Sequence, residues 1–274
     1  MYLAIDIGGT KTLVAVLDND GVINESVKFP TPKLYPAFIK ELAQTVASLS
    51  TKTFTACGVG MPGRVDRAHG IGLAFGNLPW KRVPLKTDVN RLVRCPVVIE
   101  NDAKLAGLSE AMLLKEYSRI LYITVSTGIG IGYILDRTIE PEFADAEGGQ
   151  MMIEHQGRML AWEDLASGKA IVRRYGKRAA DITSKTTWRR IAHDLALGIA
   201  DLLAILQPEI IIIGGSVGAY FDRFREPLLE QLRRYQTPLV PIPPMQAAAR
   251  PEQAVIYGCY DLAKSTYGKA RTSA

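Results

Sequence analysis

Few residues of this 274-residue chain could cross-link it or build a metal site: it has three cysteines and three histidines. Cys57, Cys95 and Cys259 form an odd, widely spaced set without pairing or metal-ligand spacing. They read as buried thiols of a reducing compartment. No apolar run approaches the roughly 20 residues that span a bilayer, and no signal peptide precedes Asp6, so a soluble cytoplasmic protein with no membrane partner is expected. Blocks of like charge are missing too. The net charge is +5, with a pI near 9.0, but Arg173-Arg174, Lys177-Arg178, Arg189-Arg190 and Arg233-Arg234 are dispersed and read as solvated helix faces. A nucleic-acid partner is therefore not expected. What remains is an ordinary globular composition, 47% apolar and 22% charged, long enough for two medium domains.

The chain is organised around Asp6-Ile7-Gly8-Gly9-Thr10-Lys11-Thr12. Short apolar runs flank it, Tyr2–Ile5 and Leu13–Leu17, so the stretch reads as strand, Gly-Gly turn, strand. Glycines let an anion approach the main chain, and the N–H groups of such a turn form an anion-binding concavity. A carboxylate beside phosphates makes sense once magnesium is present, which gives Asp6 a role. The alternative is a hairpin in which Gly8 and Gly9 serve turn geometry alone. Lys11 is open to two readings, phosphate ligand or solvated hairpin edge.

Further along, Val22–Phe29 reads as a third strand, 36–49 as a helix, and Thr55–Gly60 as a strand entering the Met61-Pro62-Gly63 turn. Residues 69–90 lack periodicity and read as an ordered substrate loop centred on Asn77-Leu78-Pro79-Trp80. Pro96–Glu100 is a buried strand that ends at Asn101-Asp102, before a helix of about 103–115. A second unit repeats the opening: strand Ile120–Val125, turn Ser126–Gly132, return strand Tyr133–Leu135. Two related turns about 120 residues apart suggest an internal duplication. Helices of about 163–179 and 186–206 follow, then strand Glu209–Ile213 with Gly214-Gly215-Ser216 at its carboxyl end, where ligands sit in open α/β sheets. A helix near 219–234, a strand near 245–249 and a helix near 252–266 complete the chain, with a frayed tail from Gly268. The domain break is placed at 117, giving 1–117 and 118–274, with the last helix able to pack back on the first domain.

Asp6–Lys11, Gly58–Gly63, Asn77–Trp80, Glu100–Ala103, Ser126–Gly130 and Ile213–Ser216 occur in one order and cover nearly the whole chain. Together they resemble the ROK family (repressors, open reading frames, sugar kinases) of the hexokinase/actin-like ATPase superfamily. The resemblance implies an α/β fold of two ribonuclease-H-like domains flanking a nucleotide- and sugar-binding cleft, and an ATP-dependent hexose kinase acting at O6 of glucose or a related aldohexose. By the same resemblance Asp6, Gly8, Gly9, Thr10 and Lys11 correspond to the first phosphate loop, Thr127 and Gly128 to the second, and Gly214 and Gly215 to the adenosine contact. Gly63, Asn77, Asn101, Asp102, Glu147, Gln150 and Glu163 match sugar-side positions, and Asp102 matches the catalytic base. Mg-ATP is the implied cofactor and a homodimer the implied assembly.

The chemistry agrees: a carboxylate at a strand end can take the proton of a hydroxyl as it attacks a phosphorus. Asn101 beside it can donate and accept at once toward a neighbouring hydroxyl. The competing role for Asn101-Asp102 is a helix N-cap.

One departure stands out. ROK kinases typically carry Glu-x-Gly-His and then a cysteine cluster that binds zinc. Here the first part reads Glu147-Gly148-Gly149-Gln150 and the cysteines are absent, so no zinc is expected. The 151–162 loop is expected to be anchored instead by Trp162 with Met151-Met152-Ile153, and His155 to be surface. Trp80 and Trp188 are read mainly as core, with Trp80 also a candidate for shaping the sugar pocket. A regulatory, sugar-binding protein of the same family is the rival reading. It would need a DNA-binding segment ahead of the first strand, where a single residue precedes Tyr2.

Overall fold

Residues 1–250 and 252–268 are described by a computed structural model. The chain divides into two units, Met1–Ser109 joined by the segment from Gln253 onward, and Glu110–Glu252. The break therefore lies ahead of 117, in the last turn of a helix, and the final helix belongs with the first unit. The tail beyond Gly268, read from sequence as frayed, lies outside the described residues.

In the first unit β1 (Tyr2–Ile7), β2 (Lys11–Leu17) and β3 (Ile23–Pro30) form an antiparallel meander. Helix α1 (Tyr35–Ser48) leads to β4 (Ala56–Met61), which pairs with β1 in parallel. A small antiparallel sheet follows, β5 (Arg64–Asp66), β6 (Ile71–Ala74) and β7 (Lys81–Val83), then α2 (Leu85–Val93). Strand β8 (Val97–Asn101) completes the main sheet in the order β3-β2-β1-β4-β8 and runs into α3 (Asp102–Ala111). Central β1 and β4 are almost wholly buried and apolar, whereas edge strand β3 alternates between half-buried and exposed residues, as its position requires.

The second unit repeats this plan. Strands β9 (Arg119–Val125), β10 (Ile129–Leu135) and β11 (Thr138–Ile139) make the antiparallel side. The hairpin β12 (Met152–His155) and β13 (Arg158–Ala161) precedes α4 (Trp162–Ala166), α5 (Gly168–Tyr175) and the 22-residue α6 (Lys185–Leu206). Strand β14 (Ile210–Gly214), the short α7 (Gly215–Gly218), α8 (Phe221–Arg233) and β15 (Met245–Ala247) close the sheet as β11-β10-β9-β14-β15. Both five-stranded sheets thus share one strand order, the signature of the expected duplication. Helix α9 (Ala254–Tyr267) packs on β1 and β4 of the first unit.

Several expectations change. Residues 69–90 are not an irregular loop: β6 and β7 are too short to show alternation, and α2 buries Leu85, Val89 and Val93 on a four-residue spacing behind Pro84. The single helix expected over 163–179 breaks at Ser167, whose hydroxyl caps α5 by accepting from the Ala170 N–H. Strand β10 begins at Ile129, because Ile129 and Ile131 face the core between glycines. The 151–162 segment is a hairpin. Ile153 and Trp162 are buried and Met151 packs against the same core, but Met152 points to solvent, 56% exposed. All three tryptophans are core. Trp80 sits among Phe38, Phe75 and Tyr35, with ring centroids 4.7–5.3 Å away, and Trp188 stacks on Phe224 at 5.6 Å. Among the described residues no helix is long and apolar enough to cross a membrane.

Candidate active site

Pairing of Ile7 with Thr12 leaves Gly8–Lys11 to close the first turn, and the Gly8 N–H donates to Lys11 O at 3.0 Å. The carbonyls of this turn are drawn to one side. Thr31 Oγ1 donates to Gly8 O (2.8 Å), Thr31 N–H to Thr10 O (2.9 Å) and Lys33 Nζ to Gly9 O (3.3 Å). With the carbonyls held, the Gly9 and Thr10 N–H groups have no acceptor among the described residues, the arrangement an anionic ligand needs. A Cβ on Gly9 would lie 2.7 Å from Cβ of Asn77, so only glycine admits Asn77 against the turn. Lys11 is exposed and its amine bonds to no described residue. Thr31 and Lys33 escaped the sequence reading; the register of β2 with β3, which sets Lys11 opposite Pro30, is what brings them to the turn.

Parallel strands β1, β4 and β8 end together, with Asp6 level with Gly60 and Gly60 level with Glu100. Asp6, Asn101 and Asp102 therefore gather at the carboxyl ends of three neighbouring strands. Asn101 is largely committed to the protein. Its Oδ1 accepts from the N–H groups of Ala103 (2.9 Å) and Lys104 (3.2 Å), and its Nδ2 donates to Gly63 O (3.0 Å). It caps α3, so of the expected pair of roles toward a hydroxyl only donation by the second amide hydrogen stays open. Asp102 Oδ1 accepts from Ala103 N–H at 2.8 Å. Beneath them, Arg67 grips Glu100 in a bidentate pair, Nε–Oε2 and Nη2–Oε1 both 2.6 Å, while Glu100 Oε1 also accepts from Asn101 N–H. Burial, then the charge of Asp102, pushes the Asp6 carboxyl up to about 7, with Lys28 pulling the other way.

The second unit carries the counterpart turn. Ser126, read from the sequence as the start of this turn but given no site role there, is its hub: Ser126 N–H donates to Gly128 O (2.9 Å), Gly168 N–H to Ser126 O (2.7 Å) and Ser216 N–H to Ser126 Oγ (3.0 Å). Thr127 and Gly128 N–H groups have no acceptor among the described residues. Gly214 ends β14 level with Thr124, and Gly215 has φ 85°, where a Cβ would meet Ser126 Oγ at 2.5 Å. Glu163 closes against the turn, accepting from Ile129 N–H (3.2 Å) and from Gln150 Nε2 (2.7 Å). Gln150 and Glu163 thus act as one group, and Glu147 stands exposed with no side-chain bond to a described residue. The sequence-read site residues are divided: Asp6, Gly8–Lys11, Gly63, Asn77, Asn101 and Asp102 on the first unit, Thr127, Gly128, Glu147, Gln150, Glu163, Gly214 and Gly215 on the second.

Cys57, Cys95 and Cys259 are free and buried, with the thiols of Cys57 and Cys259 pushed well up by burial. Among the described residues no three His, Cys, Asp or Glu side chains group closely enough to hold a metal.

Two mixed sheets of one order, each with an open-amide turn between its first two strands, define an actin/hexokinase-type ATPase fold. The sequence profile of the ROK family matches residues 2–266, and the chain belongs to that family. It is 28% identical to a glucokinase of Streptomyces coelicolor over 96% of this chain and 98% of that protein. It is 32% identical to a putative fructokinase of Bacillus subtilis over 79% of this chain and 77% of that one. The fold superposes on a Streptomyces griseus ROK glucokinase solved with glucose and AMPPNP, with a TM-score of 0.80 at 26% identity, covering 96% of this chain and 99% of that one.

Proposed function

We propose that this chain is an ATP-dependent sugar kinase that phosphorylates a hexose, glucose or a related aldohexose, at O6. The observation that carries the reading is the meeting of Asp6, the open-amide turn and the Asn101-Asp102 pair at the ends of β1, β4 and β8. Such a site can hold phosphates and a proton acceptor side by side, which phosphoryl transfer requires. Similarity to glucokinases supports the substrate class.

In this reading the amides of Gly9, Thr10, Thr127 and Gly128 bind the nucleotide phosphates, and Gly214-Gly215 lies against the adenosine. Asn77, Asn101, Glu147 and the Gln150–Glu163 pair orient the sugar, with Gly63 fixing Asn101 through its carbonyl. Asp102 accepts the proton of the attacking hydroxyl as the new O–P bond forms and the bond to the departing ADP breaks. Asp6 fits a magnesium site, since it is a carboxyl raised by burial next to another carboxylate. Bound with the nucleotide there, magnesium would supply charge neutralisation at the phosphates. Gln150 takes the place of the family histidine, and no zinc enters the reading. A homodimer is the proposed assembly, on family resemblance.

The test is Asp102→Ala. Turnover is expected to fall by about 10²–10⁴-fold while sugar binding by calorimetry stays measurable; undiminished turnover would remove Asp102 as the base.

A further inference from the structure

Three of the four basic pairs that look dispersed in the sequence send at least one member to a common cleft in the second unit. Arg174 of α5, Arg189, Arg190 and His193 of α6, Arg234 just after α8, and His155 of β12 line one cleft of about 930 Å³. None of the turn or sugar-side residues of the proposed active site lines it. The cleft's single carboxylate, Asp194, is buried and already paired with Arg174. Arg234 has a loose, exposed partner in Glu230 at 3.7 Å, an arrangement of little worth in water. The side chains of Arg189 and Arg190 are exposed and bond to no described residue. His193 shares Nδ1 with Gln231 Oε1 at 3.2 Å, which leaves its other ring nitrogen available. Four guanidinium groups face one committed carboxylate, so positive charge is left over and is held in a concave wall.

From this geometry we infer a second ligand site, separate from the turnover site, that binds a phosphate dianion, free or as the monoester of a small molecule. Planar forks from several directions suit a tetrahedral group with three or four oxygens better than a planar carboxylate, which one fork satisfies. Arg189 and Arg190 supply the uncommitted donors, Arg234 closes the rim, and the Arg174–Asp194 pair fixes the floor. The Thr186 hydroxyl, one turn ahead of Arg190 on α6, adds a neutral donor.

The chain's three histidines make the test direct, because two of them line the cleft and His69, bonded to Asp66, belongs to the other unit. Inorganic phosphate is titrated into full-length protein carrying ¹³C-labelled histidine, against sodium chloride of matched ionic strength at one pH. Saturable shifts of the His155 and His193 signals are expected, with His69 unmoved. In R189E/R190E the midpoint should rise tenfold or more, and an unchanged far-ultraviolet circular dichroism spectrum and cooperative urea unfolding report that the second unit is still folded. A hexose 6-phosphate that saturates at lower concentration than phosphate identifies the occupant as an ester; equal midpoints identify it as free phosphate. Equal drift in chloride, or an unchanged midpoint in R189E/R190E, would overturn the site.

Discussion

Asp6→Asn should make the protein more stable and less useful. In the folded chain the Asp6 carboxyl titrates near 7, because burial and Asp102 disfavour its charge more than Lys28 favours it. Unfolded, it titrates near the ordinary aspartate value of 3.8. Between those values the native state holds the proton more tightly, so stability falls as pH rises from about 4 to about 7 and stays lowered above that. A rise of this size corresponds to at most about 4 kcal/mol. Asp6 keeps an edge toward solvent, and water screening brings the working expectation to about 2 kcal/mol. Asparagine has the same shape and no charge, so urea unfolding should find the variant and wild type nearly equal at pH 4.5. At pH 8 the variant should lead by about 2 kcal/mol. Both proteins share the second unit, so the difference reports the first. Nucleotide-dependent turnover should be lost in the same variant. An identical offset at both pH values, or a variant weaker at pH 8, would refute the electrostatic argument.

Arg67→Met would strand Glu100, a buried carboxylate, and should cost about 3 kcal/mol by urea unfolding. Because Glu100 Oε1 accepts from Asn101 N–H, kcat should fall as well, and a variant with full stability would show the pair to be dispensable. Gly198→Ala places a Cβ 2.3 Å from the Trp162 ring, which is fully buried and anchored by Nε1 donating to Asp194 O at 3.1 Å. Overpacking of about 1–3 kcal/mol outweighs the gain in helix propensity, and a raised sugar KM should accompany it, since Glu163 follows Trp162. An unchanged melting temperature would show that the ring can move aside.

Much of the fold was legible because its strands announce themselves. Tyr2–Ile7 and Ile210–Gly214 are largely apolar runs, and Gly8-Gly9 and Gly214-Gly215 mark where those strands end. What stayed hidden depends on distance in space. The role of Thr31 follows from the register of β3, and that of Ser126 from the meeting of three segments at its backbone and hydroxyl. Asn101 advertised two functions at once, a cap and a hydroxyl partner, and the cap takes most of its hydrogen-bonding capacity. Arg174, Arg189, Arg190 and Arg234 looked scattered because they lie up to 60 residues apart; only the packing of α5, α6 and α8 brings them to one cleft. The units part after Ser109, in the last turn of α3, where a continuous helix hides a boundary from a reading of the sequence.

The most direct measurement is ADP release from Mg-ATP, assayed across a panel of aldohexoses, fructose and N-acetylhexosamines. The account predicts sugar-dependent release, fastest with glucose or a close aldohexose. Folded protein that binds ATP yet releases no ADP with any sugar on the panel would contradict it.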